Sequence, residues 1–344
     1  MRIILVGYGV VGKSVTSILA RRYSDKVKAY GFNPRIVAIA DIDGAVINPR
    51  GLSPEKLEMI KQRGYPISAD PDFGRPSISA LDVIESVEAE VVVEVTPVNI
   101  KNAEPALSHI TKAFKTGKHV VTTNKGPLAL AMPALTELAD YNNVCFRFSG
   151  TVGGGTPMLE FAKRCLAGDK ILSIQGILNG TTNYILSEMA QNRLPFQEAL
   201  ANAQKLGYAE KEPSMDIDGF DTACKVVILA NWIMNKKITL RNVVREGIRD
   251  ISLQALDEAS KKGNTIKLIG TIDSDKTTVK PMEIAKTNPL CVSGVLNAIT
   301  FSTEFAREQT LIGRGAGGQE TAGAVLRDLL AIRYNLADRM LNGD

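Results

Sequence analysis

Between Glu210 and Lys225 the chain sets five carboxylates and a lysine at spacings that suit proton movement. Glu210, Glu212, Asp216, Asp218 and Asp221 fall within a dozen residues, and Lys225 follows Asp221 by four. Pro213 and Gly219 punctuate a loop, and the apolar run from Ala223 to Met234 predicts a buried helix. If that helix starts near Gly219, Asp221 and Lys225 lie one turn apart on the same face. Carboxylates crowded beside an amine on a buried element suit a small ligand with an ammonium group and a transferable proton. The same residues also fit a plainer arrangement, a solvated acidic loop running into a helix with an ordinary i,i+4 ion pair.

The elements that must position such chemistry begin at the N-terminus. Arg2 to Val6 is a short apolar strand, followed by Gly7-Tyr8-Gly9-Val10-Val11-Gly12 and a helix from Ser14 to Tyr23. Strand, GxGxxG and helix in that order are the context of a dinucleotide fingerprint. Gly7 permits the tight turn, Gly9 lets the backbone approach a pyrophosphate, and Gly12 lets helix and strand pack closely. The free N–H groups of the helix N-terminus then face the phosphates. A second strand, Ile36 to Ala40, ends in Asp41, the place of an acid that bonds the ribose 2′-hydroxyl of NAD. Asp41 stands farther from the glycines than usual, and an inserted loop from Asp25 to Pro34 accounts for the delay. Asp41 favours NAD. Arg50 and Lys56 follow closely and, if they are not plain surface charge, would hold the 2′-phosphate of NADP instead.

Helices at Ser53–Arg63, Ser77–Val87, Ala103–Thr116 and Pro127–Tyr141 alternate with strands at Val91–Val95, His119–Thr122 and Val144–Phe148. That alternation predicts an α/β fold with a doubly wound parallel sheet of Rossmann type. Thr96 and Lys125 fall at strand ends, where such sheets bind ligands. Beyond them, Thr151-Val152-Gly153-Gly154-Gly155-Thr156-Pro157 suits a turn that offers backbone carbonyls to a cation. Helices at Met158–Ala167, Tyr184–Gln191 and Phe196–Lys205, and strands at Ile171–Leu178, Thr265–Ile272, Thr278–Ile284 and Val295–Phe301, predict a second, mixed α/β domain. A second glycine cluster, Gly313 to Gly318, precedes a helix from Glu320 to Tyr334 and either closes over the cofactor or is a simple loop.

The 344 residues allow one to three domains. A net charge of +4 is too mild to point to nucleic acid or an acidic membrane, and no apolar stretch reaches membrane-spanning length. Cys145, Cys165, Cys224 and Cys291 are scattered, which speaks against a zinc site or a disulfide framework. The chain begins with a strand, not a signal peptide, so a cytoplasmic location is expected. His109 and His119 are the only histidines, so chemistry built on histidine clusters is not expected.

Six stretches resemble a known family in its own order. They are GYGVVG, VVTTNKGPLA, GTVGGGTP, GILNGTTNYIL, LGYAEKEPSMDIDGFDTACK and GRGAGGQETAGAVLRD. Together they cover nearly the whole chain and are similar to homoserine dehydrogenases, in the short form without a regulatory tail or fused kinase. The resemblance implies an NAD(P)-dependent oxidoreductase that interconverts L-homoserine and L-aspartate 4-semialdehyde, on the route to threonine, isoleucine and methionine. It also implies a Rossmann domain over 1–149, a substrate-binding and dimerisation domain over 150–312, and a segment over 313–344 that returns to the first domain. The expected assembly is a homodimer.

By matching motifs, Tyr8, Gly9, Val10 and Val11 line the cofactor phosphates, and Thr96, Gly315 and Gly317 also reach the cofactor. Lys125, Thr181, Glu210, Asp216, Asp221 and Lys225 surround the substrate. The proton carrier falls on Lys225, held by Asp221, with Lys125 as its rival in a place that also touches the cofactor. The family holds a sodium ion at a turn matched here by Val152, Gly154 and Thr156, but Ser149 stands where relatives carry a glutamate. Cys224 replaces an arginine-like position beside the catalytic lysine and reads as packing. Two other readings compete: a Rossmann reductase for a different small acid, and a non-catalytic nucleotide sensor. The first lacks a cysteine or histidine to work with, and the second has no need of the acidic cluster and Lys225.

Overall fold

The computed structural model describes residues 1–21, 31–63 and 66–342, which form two compact units. Unit 1 holds Met1–Thr151 and Gly317–Asp344, and unit 2 holds Val152–Ala316. Tyr23 and most of the expected insertion at Asp25–Pro34 lie outside the described residues.

In unit 1 the chain runs β1 (Arg2–Val6), α1 (Val10–Arg21), β2 (Arg35–Asp41), β3 (Gly44–Ile47), α2 (Pro54–Arg63), β4 (Gly74–Pro76), α3 (Ala80–Ser86), β5 (Val91–Glu94), α4 (Ala106–Lys115), β6 (His119–Thr122), α5 (Lys125–Tyr141) and β7 (Phe146–Arg147). The sheet order is β4-β3-β2-β1-β5-β6-β7, with β2, β1, β5, β6 and β7 parallel. Parallel strands are covered on both faces, which is why Ile3 to Val6 and Val91 to Val93 are continuous apolar runs with almost no exposure. Strand order reverses between β1 and β5, so the carboxyl ends of those two strands form the switch point where doubly wound sheets take their ligands. The C-terminal helix, Gly318–Asn342, packs against α1 and adds Ala322, Val325, Leu329 and Ile332 to the same core. Its Asp328, buried, accepts hydrogen bonds from Ser149 N (2.8 Å) and Oγ (2.6 Å).

Unit 2 contains β8 (Ile171–Ile177), α6 (Gly180–Asn192), α7 (Phe196–Lys205), α8 (Phe220–Met234), β9 (Val244–Arg245), α9 (Leu253–Lys261), β10 (Asn264–Ile272), β11 (Thr277–Ala285), β12 (Leu296–Thr303) and β13 (Glu308–Arg314). Its sheet, β13-β12-β8-β10-β11-β9, is antiparallel except for the β11–β9 pair. A doubly wound unit with a second mixed α/β unit is the fold class expected. Among the described residues no helix is long and apolar enough to cross a membrane.

The departures from expectation are local and have physical causes. Helices α1, α5 and α6 begin two to four residues earlier than their apolar periodicity suggests. The starts of α5 and α6 are set by caps: Asn124 accepts from Gly126 N, and Asn179 accepts from Thr182 N. Strands β3, β4, β9 and β13 were not expected. They are short or carry polar and glycine residues, and long-range pairing, which sequence alone does not display, makes them strands. The apolar run expected as a helix to Ala167 ends instead in a π-type turn at Phe161–Cys165.

One lysine stands apart from the general packing of unit 2. Lys267 on β10 is 2% exposed, and its Nζ donates to Asn183 Oδ1 (2.7 Å) and Ser187 Oγ (2.8 Å) of α6. No carboxylate pairs with it among the described residues. Burial lowers its pKa to about 8, with Cys291 pulling weakly the other way. The folded chain therefore gives up this proton at lower pH than the unfolded chain does. Below pH 8 the full penalty is present, and it is relieved as pH rises toward the ordinary lysine value near ~10.4. Stability should thus rise over that window by about 3 kcal/mol from this group. Lys267→Met should remove that part of the rise, and urea unfolding of both proteins at pH 7.5 and 10 checks it. Parallel pH dependences for the two proteins would contradict the assignment.

Candidate active site

Helix α8 is buried on all sides from Asp221 to Ala230, so any charge on it must be met inside the protein. It starts after Gly219, whose φ of +78° is a left-handed conformation that glycine adopts without strain. That start places Asp221 and Lys225 on one face, 8% and 5% exposed. Lys225 Nζ lies 2.7 Å from Asp221 Oδ2 and donates to Leu178 O at 2.5 Å. An ammonium has three N–H bonds, so one is left after these two partners.

The acidic loop divides sharply. Asp216 turns inward, where its Oδ1 accepts from Asn179 Nδ2 (2.6 Å) and its Oδ2 from Thr181 Oγ1 (3.0 Å). The same Asn179 Nδ2 donates to Asp221 Oδ2 at 2.9 Å, so one carboxamide ties two carboxylates together. Burial raises the pKa of Asp216, and the nearby charge of Asp221 raises it further, against the hydrogen bonds from Asn179 and Thr181 and the charge of Lys225. Asp218 is instead held by Arg249, and Glu212 accepts from the Ser214 hydroxyl. Glu210 is exposed, and its carboxylate joins none of these bonds, although it was expected beside the substrate. Two of the five acids thus build the buried cluster with Lys225.

Asn179 is the residue that motif reading passed over. It stood only inside the stretch GILNGTTNYIL, yet it both caps α6 and bridges Asp216 to Asp221. Its signal was the asparagine just before a helix, a cap position whose side-chain amide remains free to donate elsewhere. Thr181 sits at the N-terminus of α6, where first-turn N–H groups lack helical partners and favour an anion. Its hydroxyl lies 2.7 Å from Tyr208 O as well as near Asp216, so the backbone is the freer donor.

In unit 1 the glycine turn has the geometry of a phosphate cradle. Gly7 has φ +98°, and a Cβ there would meet Val95 O and Thr96 N at 3.0 Å. A Cβ on Gly12 would stand 2.2 Å from Gly7 O, so helix and turn can approach only without one. Gly9 faces open space, and α1 begins at Val10 with unpartnered N–H groups in its first turn. Tyr8 turns its ring into the core, with its hydroxyl 3.5 Å from Leu57 O, so only its backbone is presented at the turn. Val10 is largely exposed and Val11 half-buried. Asp41 closes β2, and Thr96 and Lys125 follow β5 and β6, Lys125 being the first residue of α5. Lys56 is bound to Asp70 (2.6 Å) and Asp72 (2.8 Å), and these carboxylates raise its pKa.

Gly315 and Gly317 fall on either side of the boundary between the units. Gly317 has φ +138°, and a Cβ there would stand 2.1 Å from Glu320 Oε2. At the glycine turn of unit 2, the Thr156 carbonyl already accepts from Met158 N at 2.8 Å. Among the described residues no group of three or more His, Cys, Asp or Glu gathers as a metal site. Cys224 is buried.

Comparison with known proteins meets this geometry from the other side. A family profile described as homoserine dehydrogenase matches residues 157–330, and one described as the homoserine dehydrogenase NAD binding domain matches residues 7–149. The homoserine dehydrogenase of Methanocaldococcus jannaschii is 47% identical over 335 residues, covering 97% of this chain and 99% of that protein. The NAD(+)-dependent homoserine dehydrogenase of Pseudomonas canavaninivorans is 38% identical over 343 residues, covering 97% and 96%. A crystal structure from Archaeoglobus fulgidus assigned to homoserine dehydrogenase matches with a TM-score of 0.88 at 38% identity, covering 96% of this chain and 99% of that one. A hyperthermophilic archaeal homoserine dehydrogenase mutant in complex with NADPH matches with a TM-score of 0.85 at 28% identity, over 97% and 98% of the two chains. A glycine turn built for a dinucleotide, a buried lysine among bridged carboxylates, and two matching profiles over the same regions agree: the chain belongs to the homoserine dehydrogenase family.

Proposed function

We propose that Lys225 carries the proton in the reaction of this family, held by Asp221, while unit 1 binds the nicotinamide cofactor and unit 2 the substrate. The chain is an NAD(P)-dependent oxidoreductase that interconverts L-homoserine and L-aspartate 4-semialdehyde, in the aspartate route to threonine, isoleucine and methionine. The observation that carries the assignment is the buried ammonium of Lys225, fixed by Asp221 and the Leu178 carbonyl with one N–H to give.

The glycine turn and the first turn of α1 fit a pyrophosphate, and Thr96 and Lys125 stand at the strand ends for the nicotinamide side. When bound, the cofactor supplies hydride chemistry; the protein's share is orientation and the proton. In the reducing direction the Lys225 ammonium gives its proton to the semialdehyde oxygen, which becomes the hydroxyl of homoserine. In oxidation the free amine takes that proton back. The N-terminus of α6 near Thr181 receives the substrate carboxylate. Asp216 and Glu210 receive its ammonium, Glu210 on the strength of the family resemblance alone.

Asp41 at the end of β2 repels a 2′-phosphate, and Lys56 is committed to Asp70 and Asp72 rather than to a ligand. NAD is therefore the proposed cofactor. For a sodium ion the residues fit poorly. Ser149 brings no carboxylate and its hydroxyl donates to Asp328, and the Thr156 carbonyl is already engaged, so no step is assigned to a cation at Val152, Gly154 and Thr156. The second sheet, with half-exposed Leu172 and Ile312 on its strands, is the proposed face of a homodimer. A monomeric mass by light scattering at micromolar concentration would rule that assembly out.

Lys225→Ala should lower kcat by about two to four orders of magnitude, the usual contribution of a positioned acid–base group. Cofactor binding should survive, because the glycine turn belongs to the other unit. If Lys125 moves the proton instead, Lys225→Ala should mainly raise the KM for homoserine and leave kcat close to normal. For the cofactor, kcat/KM with NAD should exceed that with NADP, and Asp41→Ala should narrow the ratio. A wild-type preference for NADP would shift the reading to Arg50.

A further inference from the structure

A second buried carboxylate, in unit 1, takes no part in the proton chemistry above. Glu94 ends β5 and is 0% exposed. Its Oε1 accepts from Thr96 N at 3.1 Å and from the Thr96 hydroxyl. The Thr122 hydroxyl of β6 lies 3.1 Å from both Glu94 Oε2 and Glu94 O, and its oxygen accepts from Asn124 N at 3.0 Å. Asn124 returns to the β5 side, donating Nδ2 to Thr96 O and Pro97 O, each at 3.0 Å. Its Oδ1 accepts from Gly126 N and so caps α5 at Lys125. The bonds close a ring that joins the carboxyl ends of β5 and β6. Gly7 adjoins the ring, because Thr96 N lies 3.0 Å from where a Gly7 Cβ would stand.

The chemistry of the ring explains why a carboxylate stands at its centre. A backbone N–H and two hydroxyls must all be accepted by one side chain, and only a group with two acceptor oxygens and no donor can do so. Among the described residues the cationic candidate beside it is His109, whose Nδ1 lies 3.7 Å from Oε1, too long for a hydrogen bond. A carboxyl group buried this completely is retained only where its hydrogen bonds are made in full. Here those bonds run to Thr96 and, through Thr122, to the turn that carries Lys125. We propose that Glu94 is a positioning residue for the nicotinamide cofactor, locking the Thr96 turn to the Asn124–Lys125 turn before the cofactor arrives. A turn held in its bound geometry before the cofactor arrives lowers the ordering cost of binding it.

This inference rests on the cofactor assignment above, and direct binding separates the two. Titration of the protein with NADH, followed by nicotinamide fluorescence, tests both. If the wild type binds neither NADH nor NADPH, the cofactor assignment fails. If it binds, Glu94→Gln should weaken binding about tenfold, because the carboxamide turns a donor toward a hydroxyl of the ring. Thr122→Val, which leaves the carboxylate in place, should weaken it about threefold, and Thr122→Ser should restore it. In steady state the Glu94→Gln effect should fall mainly on the cofactor KM, with kcat within about threefold of wild type. Wild-type affinity in both Glu94→Gln and Thr122→Val, with only the melting temperature lowered, would show the carboxylate to be structural and overturn the proposal.

Discussion

The ion pair between Lys225 and Asp221 is the constraint on which the substrate unit depends. A helix closed in from Asp221 to Ala230 tolerates an ammonium only if each of its N–H groups has somewhere to go. Asp221 one turn back and the Leu178 carbonyl at the end of β8 satisfy two of them. Those partners fix where the third points, so the need to bury the charge safely and the need to aim a proton are met by the same geometry. The carbonyl is available because β8 ends at Ile177, and the chain then turns through Asn179 into α6.

That turn also settles how two acids share a small volume. Asp216 and Asp221 would repel each other if both were charged and unbridged. Asn179 answers by donating one amide group to both, while its carbonyl caps α6. Burial and the charge of Asp221 together push the pKa of Asp216 upward. Asp221, beside the ammonium, is the natural carrier of the negative charge. The remaining acids of the loop point away, to Arg249, to Ser214 and to solvent.

How much of this was legible beforehand depends on range. The glycine turn, the i,i+4 pair and the parallel alternation are local patterns, and local patterns survive folding because backbone geometry imposes them directly. Crowding along the chain gives proximity in sequence but not direction: Asp216 turns inward while Glu210, six residues earlier, is exposed. Asn179 and Glu94 were invisible for the opposite reason. Their partners lie 28 to 42 residues away at the far points, and nothing in a turn or a strand end announces which distant donors it will meet. Strand β13 was missed likewise, its alternation of polar and apolar residues acquiring meaning only beside β12.

The central claim, that Lys225 itself moves the proton, is tested most directly by supplying an amine from outside. Hydride transfer by Lys225→Ala should be measured in a single turnover at saturating cofactor and homoserine, with methylamine or ethylamine added over a range of concentrations. The account expects the rate to rise with amine concentration, to saturate, and to track the fraction of free amine in the oxidising direction, while the wild type does not respond. A Lys225→Ala enzyme whose transfer step is slow but indifferent to every amine, or fast without one, would contradict it.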